Sequence, residues 1–259
     1  MAEIKFTKNN GIANITFNRP ESYNSVNAGL ALAFINALND CHEDSSIRVV
    51  VITGSGKAFC AGQDLKEVTD PNVMPGFKHL LEKHYTPIIS KIVGLNKPII
   101  AAVNGVAAGA GANIALACDI IVASDKAKFI QAFSAIGLIP DSGGTYTLPR
   151  LVGRAKAMAF AMLGDKIDAQ TAEKIGMIYK CVPAENFETE IVQLAERLSI
   201  MPTKGLALTK QAINASFENT FNEQLALEKQ FQIEASKTAD YFEGVAAFLE
   251  KRKANFKGQ

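Results

Sequence analysis

A chain of 259 residues that is 48% hydrophobic can bury a full core, and it fits one large domain or one domain with a smaller appendage. A formal charge of +1 excludes the clustered basic footprint that nucleic-acid binding needs; the nearest approach, the tail "EKRKANFKGQ" from Glu250, reads as a solvated end. Cys41, Cys60, Cys118 and Cys181 are scattered without C-x-x-C or metal-type spacing, and "MAEIKFTKNN" does not read as a signal peptide, so reduced thiols and a cytoplasmic location are expected.

In chain order, "IANITFNRP" alternates apolar and polar residues and predicts a strand ending before Pro20. "NAGLALAFINALNDCHED" has helical spacing, with Asn27 as the expected N-cap. "RVVVITG" is a β-branched run, the pattern of a strand buried on both faces. "GSGKAFCAGQDLKEV" predicts a glycine-broken loop running into a short helical turn. A long helix is expected over "MPGFKHLLEKHYTPIISKIVGL", kinked or interrupted at Pro87. The stretch "PIIAAVNGVAAGAGANIALACDIIVAS" is long enough for a membrane span, but Asn104, Asn113 and Asp119 interrupt it. Strand, glycine loop, short helix and second strand explain it better. Alternation through about residue 130 therefore predicts an α/β fold with mainly parallel pairing. Beyond about residue 145 the pattern is almost wholly helical, broken by the single strand "MIYKCV", and Pro202 opens a section of three amphipathic helices. Their apolar stripes, Phe221, Leu225 and Phe231 on one and Tyr241, Val245, Phe248 and Leu249 on the next, read as ordinary core.

Chemistry has few places to sit. The histidines, His42, His79 and His84, lie in helix-like charged stretches and read as surface residues; no G-x-S-x-G elbow appears, and no cluster has metal-ligand spacing. "GVAAGAGANI" lacks the dinucleotide-binding spacing and does not follow the first strand. Its glycines suit close helix packing, or else free backbone N–H groups near Ala110 that, with one from the loop around Gln63, form a two-donor oxyanion hole. One such donor is worth about 3 kcal/mol in a transition state. Spacing alone does not choose between these readings. "FSAIGLIPDSGGTYTLPR" sets a lone carboxylate, Asp141, in an apolar run, where it either caps the following helix or handles a proton.

Taken together, "FCAGQDL", "KPIIAAVNGVAAGAGANIALACDIIVAS" and "FSAIGLIPDSGGTYTLPRLVG", with "NRPESYNSVN" before and "IDAQTAEKIGMIYKCV" and "MPTKGLALTKQAIN" behind, resemble the crotonase (enoyl-CoA hydratase/isomerase) superfamily over nearly the whole chain. The resemblance implies a crotonase-like α/β spiral of ββα units over residues 1–200 and a C-terminal helical oligomerisation region over 201–259, building a homotrimer or a dimer of trimers. It implies an acyl-coenzyme A thioester substrate, with no cofactor expected beyond that coenzyme A; charge, polar interruptions and ligand spacing, as above, point to no nucleic-acid, membrane or metal partner. Carried over by motif position, the oxyanion donors are the backbone N–H groups of Gln63 and Ala110, and the adenine-recognition segment matches Ala61, Asp64 and Leu65.

The sequence also departs from the family's hydratases. Their two glutamates match Asn113 and Phe133 here, and neither can activate water or deliver a proton. Asn113 is expected to support the site and Phe133 to pack on the acyl group. The surviving carboxylate is Asp141. A hydrolytic relative that uses this aspartate as a nucleophile also needs histidine and tryptophan at positions matching Thr86 and Phe133, and both are absent. The motifs are most similar to the branch of isomerases acting on ring-epoxidised phenylacetyl-CoA, which also move 3-enoyl double bonds to the 2-position. A generic enoyl-CoA isomerase or hydratase-family enzyme of fatty-acid breakdown is the alternative. Some relatives bind RNA or serve as scaffolds; the near-zero charge and the retained Asp141 oppose both.

Overall fold

The computed structural model describes residues 2–69 and 76–259. The chain opens with an antiparallel hairpin, β1 (Ile4–Asn9) and β2 (Ile12–Phe17). Only β2 carries a readable alternation; β1 is an edge strand with mostly exposed side chains, so it leaves little apolar signal. Helix α1 (Ala28–Glu43) starts where expected, with the Asn27 side chain accepting the Leu30 N–H at 2.8 Å. It buries Leu30, Phe34, Leu38 and Cys41 at helical spacing.

Strands β3 (Val49–Gly54) and β4 (Ala58–Cys60) lead into the short helix α2 (Leu65–Thr69). The start of the expected long helix, at Met74 and Pro75, lies outside the described residues. Its remainder comprises α3 (Phe77–Leu80), one π turn over Leu81–Tyr85, and α4 (Thr86–Gly94). The interruption expected at Pro87 therefore falls just before it. Pro87 occupies the first turn of α4, a position where its missing N–H is best tolerated.

The apolar stretch that follows resolves into β5 (Ile99–Val103), β6 (Val106–Ala108), α5 (Ala110–Leu116) and β7 (Ile120–Ser124), as the polar interruptions imply. Among the described residues, no helix is long and apolar enough to cross a membrane. Next come β8 (Lys128–Ile130) and α6 (Gly144–Leu163), broken at Gly153. A strand the sequence does not announce, β9 (Lys166–Asp168), follows; three residues are too few for a period to show. The chain finishes with α7 (Ala169–Lys174), β10 (Lys180–Val182), α8 (Phe187–Ser199), α9 (Thr203–Ala215), α10 (Phe221–Ala235) and α11 (Ala239–Leu249).

The strands form two sheets. One has the order β1-β2-β3-β5-β7-β10 and is parallel except for its first pair; the other has the order β4-β6-β8-β9 and is parallel except for its last. Three successive strand pairs, β3/β4, β5/β6 and β7/β8, each give their first member to the larger sheet and their second to the smaller. This is the α/β spiral with a helical C-terminal region. One face of the larger sheet, with Val50, Ile52, Ile99 and Ala101, packs in the main core. The other face, with Val49, Val51, Ile100 and Val122, packs with Ile191, Ala195 and Leu198 of α8. Cover on both faces is why β3 and β5 read as unbroken apolar runs.

At the C-terminus the core reading that spacing alone gives for the two stripes does not hold for the single chain, whereas the resemblance leaves part of that surface for subunit contacts: Phe221, Leu225, Tyr241, Val245, Phe248 and Leu249 all face outward, and only Phe231 is half-buried. One expectation is corrected outright, since the basic tail is no free end. The buried Asp240 carboxylate accepts the N–H groups of Lys257 and Gly258 at 2.6 and 2.7 Å, and Arg48 donates to the Phe256 carbonyl at 2.8 Å.

Asn24 joins the N-terminal turn to the loop that carries the site. It is fully buried at φ 56°; its side chain accepts the Arg19 N–H at 2.9 Å and donates to the carbonyls of Ser55 and Ala58 at 3.0 and 2.7 Å. Asn24→Ala strands these groups and is expected to cost about 3 kcal/mol. Chemical denaturation would show this as a lower midpoint with an unchanged slope.

Candidate active site

Three loops leave the carboxyl ends of neighbouring parallel strands in the smaller sheet. β4 pairs with β6 (Ala58↔Val106, Cys60↔Ala107), and β6 pairs with β8 (Val106↔Lys128, Ala108↔Ile130). Gln63 follows β4, Ala110 follows β6, and Phe133 and Asp141 follow β8. The pairing thus delivers residues far apart in sequence to one cavity of 280 Å³, lined by Ala61, Gln63, Leu65, Ala110, Phe133 and Asp141 among others.

Both loops turn on glycine. Gly62 has φ +85°, and a Cβ there would lie 2.9 Å from the Ala108 carbonyl oxygen, so the β4 and β6 loops touch backbone to backbone. Val26 N–H donates to the Gly62 carbonyl at 2.7 Å and the Val26 carbonyl accepts Asp64 N–H at 2.9 Å. The Gly62–Gln63 peptide is therefore fixed with the Gln63 N–H directed away from Val26. Gly109, at φ +53° and ψ −129°, turns the chain into α5, and its carbonyl accepts the Asn113 N–H at 3.2 Å, so the Ala110 N–H leaves the helix end unpaired. Neither N–H donates to a backbone carbonyl among the described residues.

Asp141 is the only carboxylate lining the cavity among the described residues. Burial raises its pKa above the ordinary value, and the Ser142 hydroxyl, donating to Oδ1 at 2.9 Å, opposes that rise. Capping does not account for it: the N-cap of α6 is Gly143, without a side-chain cap. The backbone of Asp141 is held instead. Its carbonyl accepts the Gly144 N–H and the Asn113 side-chain amide, both at 2.8 Å.

Asn113 stands behind the cavity wall, 1% exposed, with its Oδ1 accepting from Gln131 Nε2 at 2.8 Å. It bridges the β8 loop to Asp141 and touches no cavity space. Asp64 is likewise committed elsewhere: Oδ2 pairs with Arg19 Nη2 at 2.9 Å and Oδ1 accepts the Lys66 N–H at 3.1 Å. Its side chain stiffens the loop, while its neighbours Ala61 and Leu65 face the cavity.

Sequence reasoning missed the opposite wall, made of Phe77, Leu80, Leu81 and Tyr85. Tyr85 is 3% exposed, and its hydroxyl donates to Gln63 Oε1 at 2.8 Å. Burial holds its proton well above the usual tyrosine range. Beside it, His84 is not the surface residue expected: it is buried, its pKa is lowered by desolvation, and its Nδ1 finds no partner among the described residues.

Residues 7–259 match the sequence profile of the enoyl-CoA hydratase/isomerase family. The chain is 46% identical to the 1,2-epoxyphenylacetyl-CoA isomerase of Escherichia coli K12 over 251 residues, 96% of either chain. It is 40% identical to the mitochondrial enoyl-CoA hydratase of Pongo abelii over 252 residues, covering 97% of this chain and 86% of that one. The crystal structure of an enoyl-CoA hydratase from Polaromonas sp. JS666 superposes with a TM-score of 0.90 at 36% identity, covering 98% of this chain and 99% of the other.

Because burial raises the Asp141 pKa, the folded chain holds that proton more tightly than the unfolded chain. Its contribution to stability is fully favourable below the ordinary carboxylate pKa and is lost as pH rises through the raised value. Asp141→Asn removes this cost while keeping the shape. Its melting temperature is expected to exceed that of the wild type at neutral pH, with the gap closing below about pH 4. Thermal melts across pH measure both.

Proposed function

The chain belongs to the enoyl-CoA hydratase/isomerase family, and from that premise we propose that it is an acyl-CoA isomerase working with one acid/base carboxylate, Asp141. The thioester oxygen of the substrate sits between the N–H groups of Gln63 and Ala110. Charge that develops there on removal of an α-proton is stabilised by both donors, each worth about 3 kcal/mol. In a 3-enoyl thioester, the Asp141 carboxylate takes the proton from C2 and the electron pair delocalises through the carbonyl and the C3–C4 double bond. The same carboxyl group returns the proton at C4, leaving a 2-enoyl thioester. No second acid is required, because nothing is added or lost.

The single observation that carries this reading is that Asp141 is the one carboxylate at the cavity among the described residues, with Asn113 and Phe133 where hydratase chemistry needs acids. Similarity to the Escherichia coli isomerase and the aromatic walls, Phe77, Tyr85 and Phe133, support a ring-1,2-epoxide of phenylacetyl-CoA as substrate, rearranged to the seven-membered oxepin thioester. The segment with Ala61 and Leu65 borders the mouth and suits the coenzyme A portion. The outward apolar residues of α10 and α11 support assembly as a homotrimer or a dimer of trimers.

Purified protein is expected to convert 3-hexenoyl-CoA and the ring epoxide, with negligible hydration of a 2-enoyl-CoA. Asp141→Asn should lower kcat at least about a hundredfold. Efficient hydration that survives in Asp141→Asn would overturn the reading. Since Asp141 must be ionised to act, kcat/KM should fall on acidification through its raised pKa, above the ordinary aspartate range. Light scattering should give a mass of three or six chains of 27.8 kDa, and Phe248→Asp with Leu249→Asp should shift it toward one. A wild-type mass of one chain would refute the assembly.

A further inference from the structure

Gln63 stands out for the company its side chain keeps. Its Oε1 accepts from the Tyr85 hydroxyl at 2.8 Å, and its Nε2 donates to Glu67 Oε2 at 3.0 Å. Glu67 Oε1 in turn accepts the Ala28 N–H at the start of α1, at 2.9 Å. A continuous chain of hydrogen bonds therefore runs from α1, through α2 and the β4 loop, to the π turn across the cavity. A π turn takes one residue more than an α turn, and such turns are frequent where a helix is bent to serve a site. Here it ends on Tyr85, whose ring lines the cavity while its hydroxyl reaches the residue whose N–H faces the substrate.

The geometry points to Tyr85 as a positioning residue: its hydrogen bond latches the Gln63 donor loop to the acyl-binding wall and holds the Gln63 N–H on the thioester oxygen. This rests on the reading of Gln63 as an oxyanion donor. Gly62 lacks a side chain, so the stiffness of the Gly62–Gln63 peptide comes from its contacts. Val26 holds the backbone through the Gly62 carbonyl and the Asp64 N–H, and the Gln63 side chain, tied at both tips, adds the one link from this loop to the cavity wall at Tyr85. Tyr85 acts as a neutral donor. Burial keeps its proton in place, so it is no base, and the proton is already committed to Gln63.

A weakened donor affects the transition state more than the ground state, so Tyr85→Phe should lower kcat by about tenfold or more and change KM by less than about twofold. Gln63→Met should do the same. The double variant should be no worse than Gln63→Met, because that substitution already removes the Tyr85 hydrogen bond along with the one to Glu67. A readout independent of turnover is the carbonyl stretch of bound hexanoyl-CoA, a saturated thioester that cannot isomerise. Wild type should shift it to lower frequency, and both single variants should shift it less. Unchanged kcat and an unchanged carbonyl shift in Tyr85→Phe, with wild type active, would overturn the latch and leave the proposed function standing. So would a rise in KM alone or additive losses in the double variant. If wild type shows neither turnover nor a carbonyl shift, the oxyanion reading and the latch fall together. Should Tyr85→Phe fold poorly by thermal melt, Gln63→Met carries the comparison against Glu67→Ala, which removes the Glu67 bond but leaves that of Tyr85.

Discussion

The close approach of two backbone loops governs everything else in this protein. Parallel pairing of β4 with β6 sets the Gly62 turn against the Ala108–Ala110 turn at a separation that admits no side chain. The next contact along is tighter still: a Cβ on Gly111 would lie 2.2 Å from the Cys60 carbonyl oxygen. On the proposed reading of the site, this contact is what lets the Gln63 and Ala110 N–H groups, from different loops, face one point. Side chains could supply the same hydrogen bonds, but each would add rotamer freedom to be lost at the transition state. Peptides fixed by a sheet have already lost it, and this is what gives a preorganised pair of donors its value.

How much of this was legible depends on how strongly each residue's neighbours constrain it. β3, β5 and β7 are apolar on both faces because helices or a second layer cover both, so they are readable without partners. β1, at an edge, and β9, three residues long, are defined by hydrogen bonds to strands that the local sequence does not mention. Gln63, Ala110, Phe133 and Asp141 all line one cavity, and Ala61 and Leu65 reach it too. Asp64 and Asn113 do not. Which way a polar side chain points depends on where Arg19 and Gln131 lie in space, and motif position does not carry that. Tyr85 was invisible for a related reason. In "LEKHYTP", straight helical spacing gives no sign of the extra residue of a π turn, the turn that ends on Tyr85. His84 was misread by the same logic, since charged neighbours suggest a surface while the π turn rotates it inward.

The region around Asp141 shows how a chain keeps a half-buried carboxylate where it is costly. Ser142 adopts φ 51° and Gly143 φ 74°, two left-handed residues in succession, and the first is unfavourable for a side-chain-bearing residue by about 1 kcal/mol or more. The turn persists because its backbone is held from outside, by Asn113 on the Asp141 carbonyl and by the Gly144 N–H on the same atom. Gly144 lies so close to Asn113 that a Cβ would meet its amide nitrogen at 2.3 Å. An acid at position 113 would be an acceptor facing the Asp141 carbonyl, and an ionised one would add like charge near the carboxylate. The amide resolves both conflicts, since its nitrogen donates to Asp141 and its oxygen accepts from Gln131.

This substitution bears on the division between adding water and moving a double bond. Hydration needs two proton-handling groups because water brings a proton and a hydroxyl to different carbons, whereas isomerisation can return the proton it removed. Among the described residues the cavity is lined by one carboxylate, with Gln63 and Tyr85 as its other polar side chains and mostly apolar walls, which favours the proposed isomerisation over hydration. Phe133 lines the same cavity, with its ring beside the Gly109 turn. On the proposed mechanism, the desolvation that raises the Asp141 pKa also makes it a stronger base. The amide at 113 secures the carboxylate's backbone, and the ring at 133 keeps its side chain in an environment where a proton is worth taking.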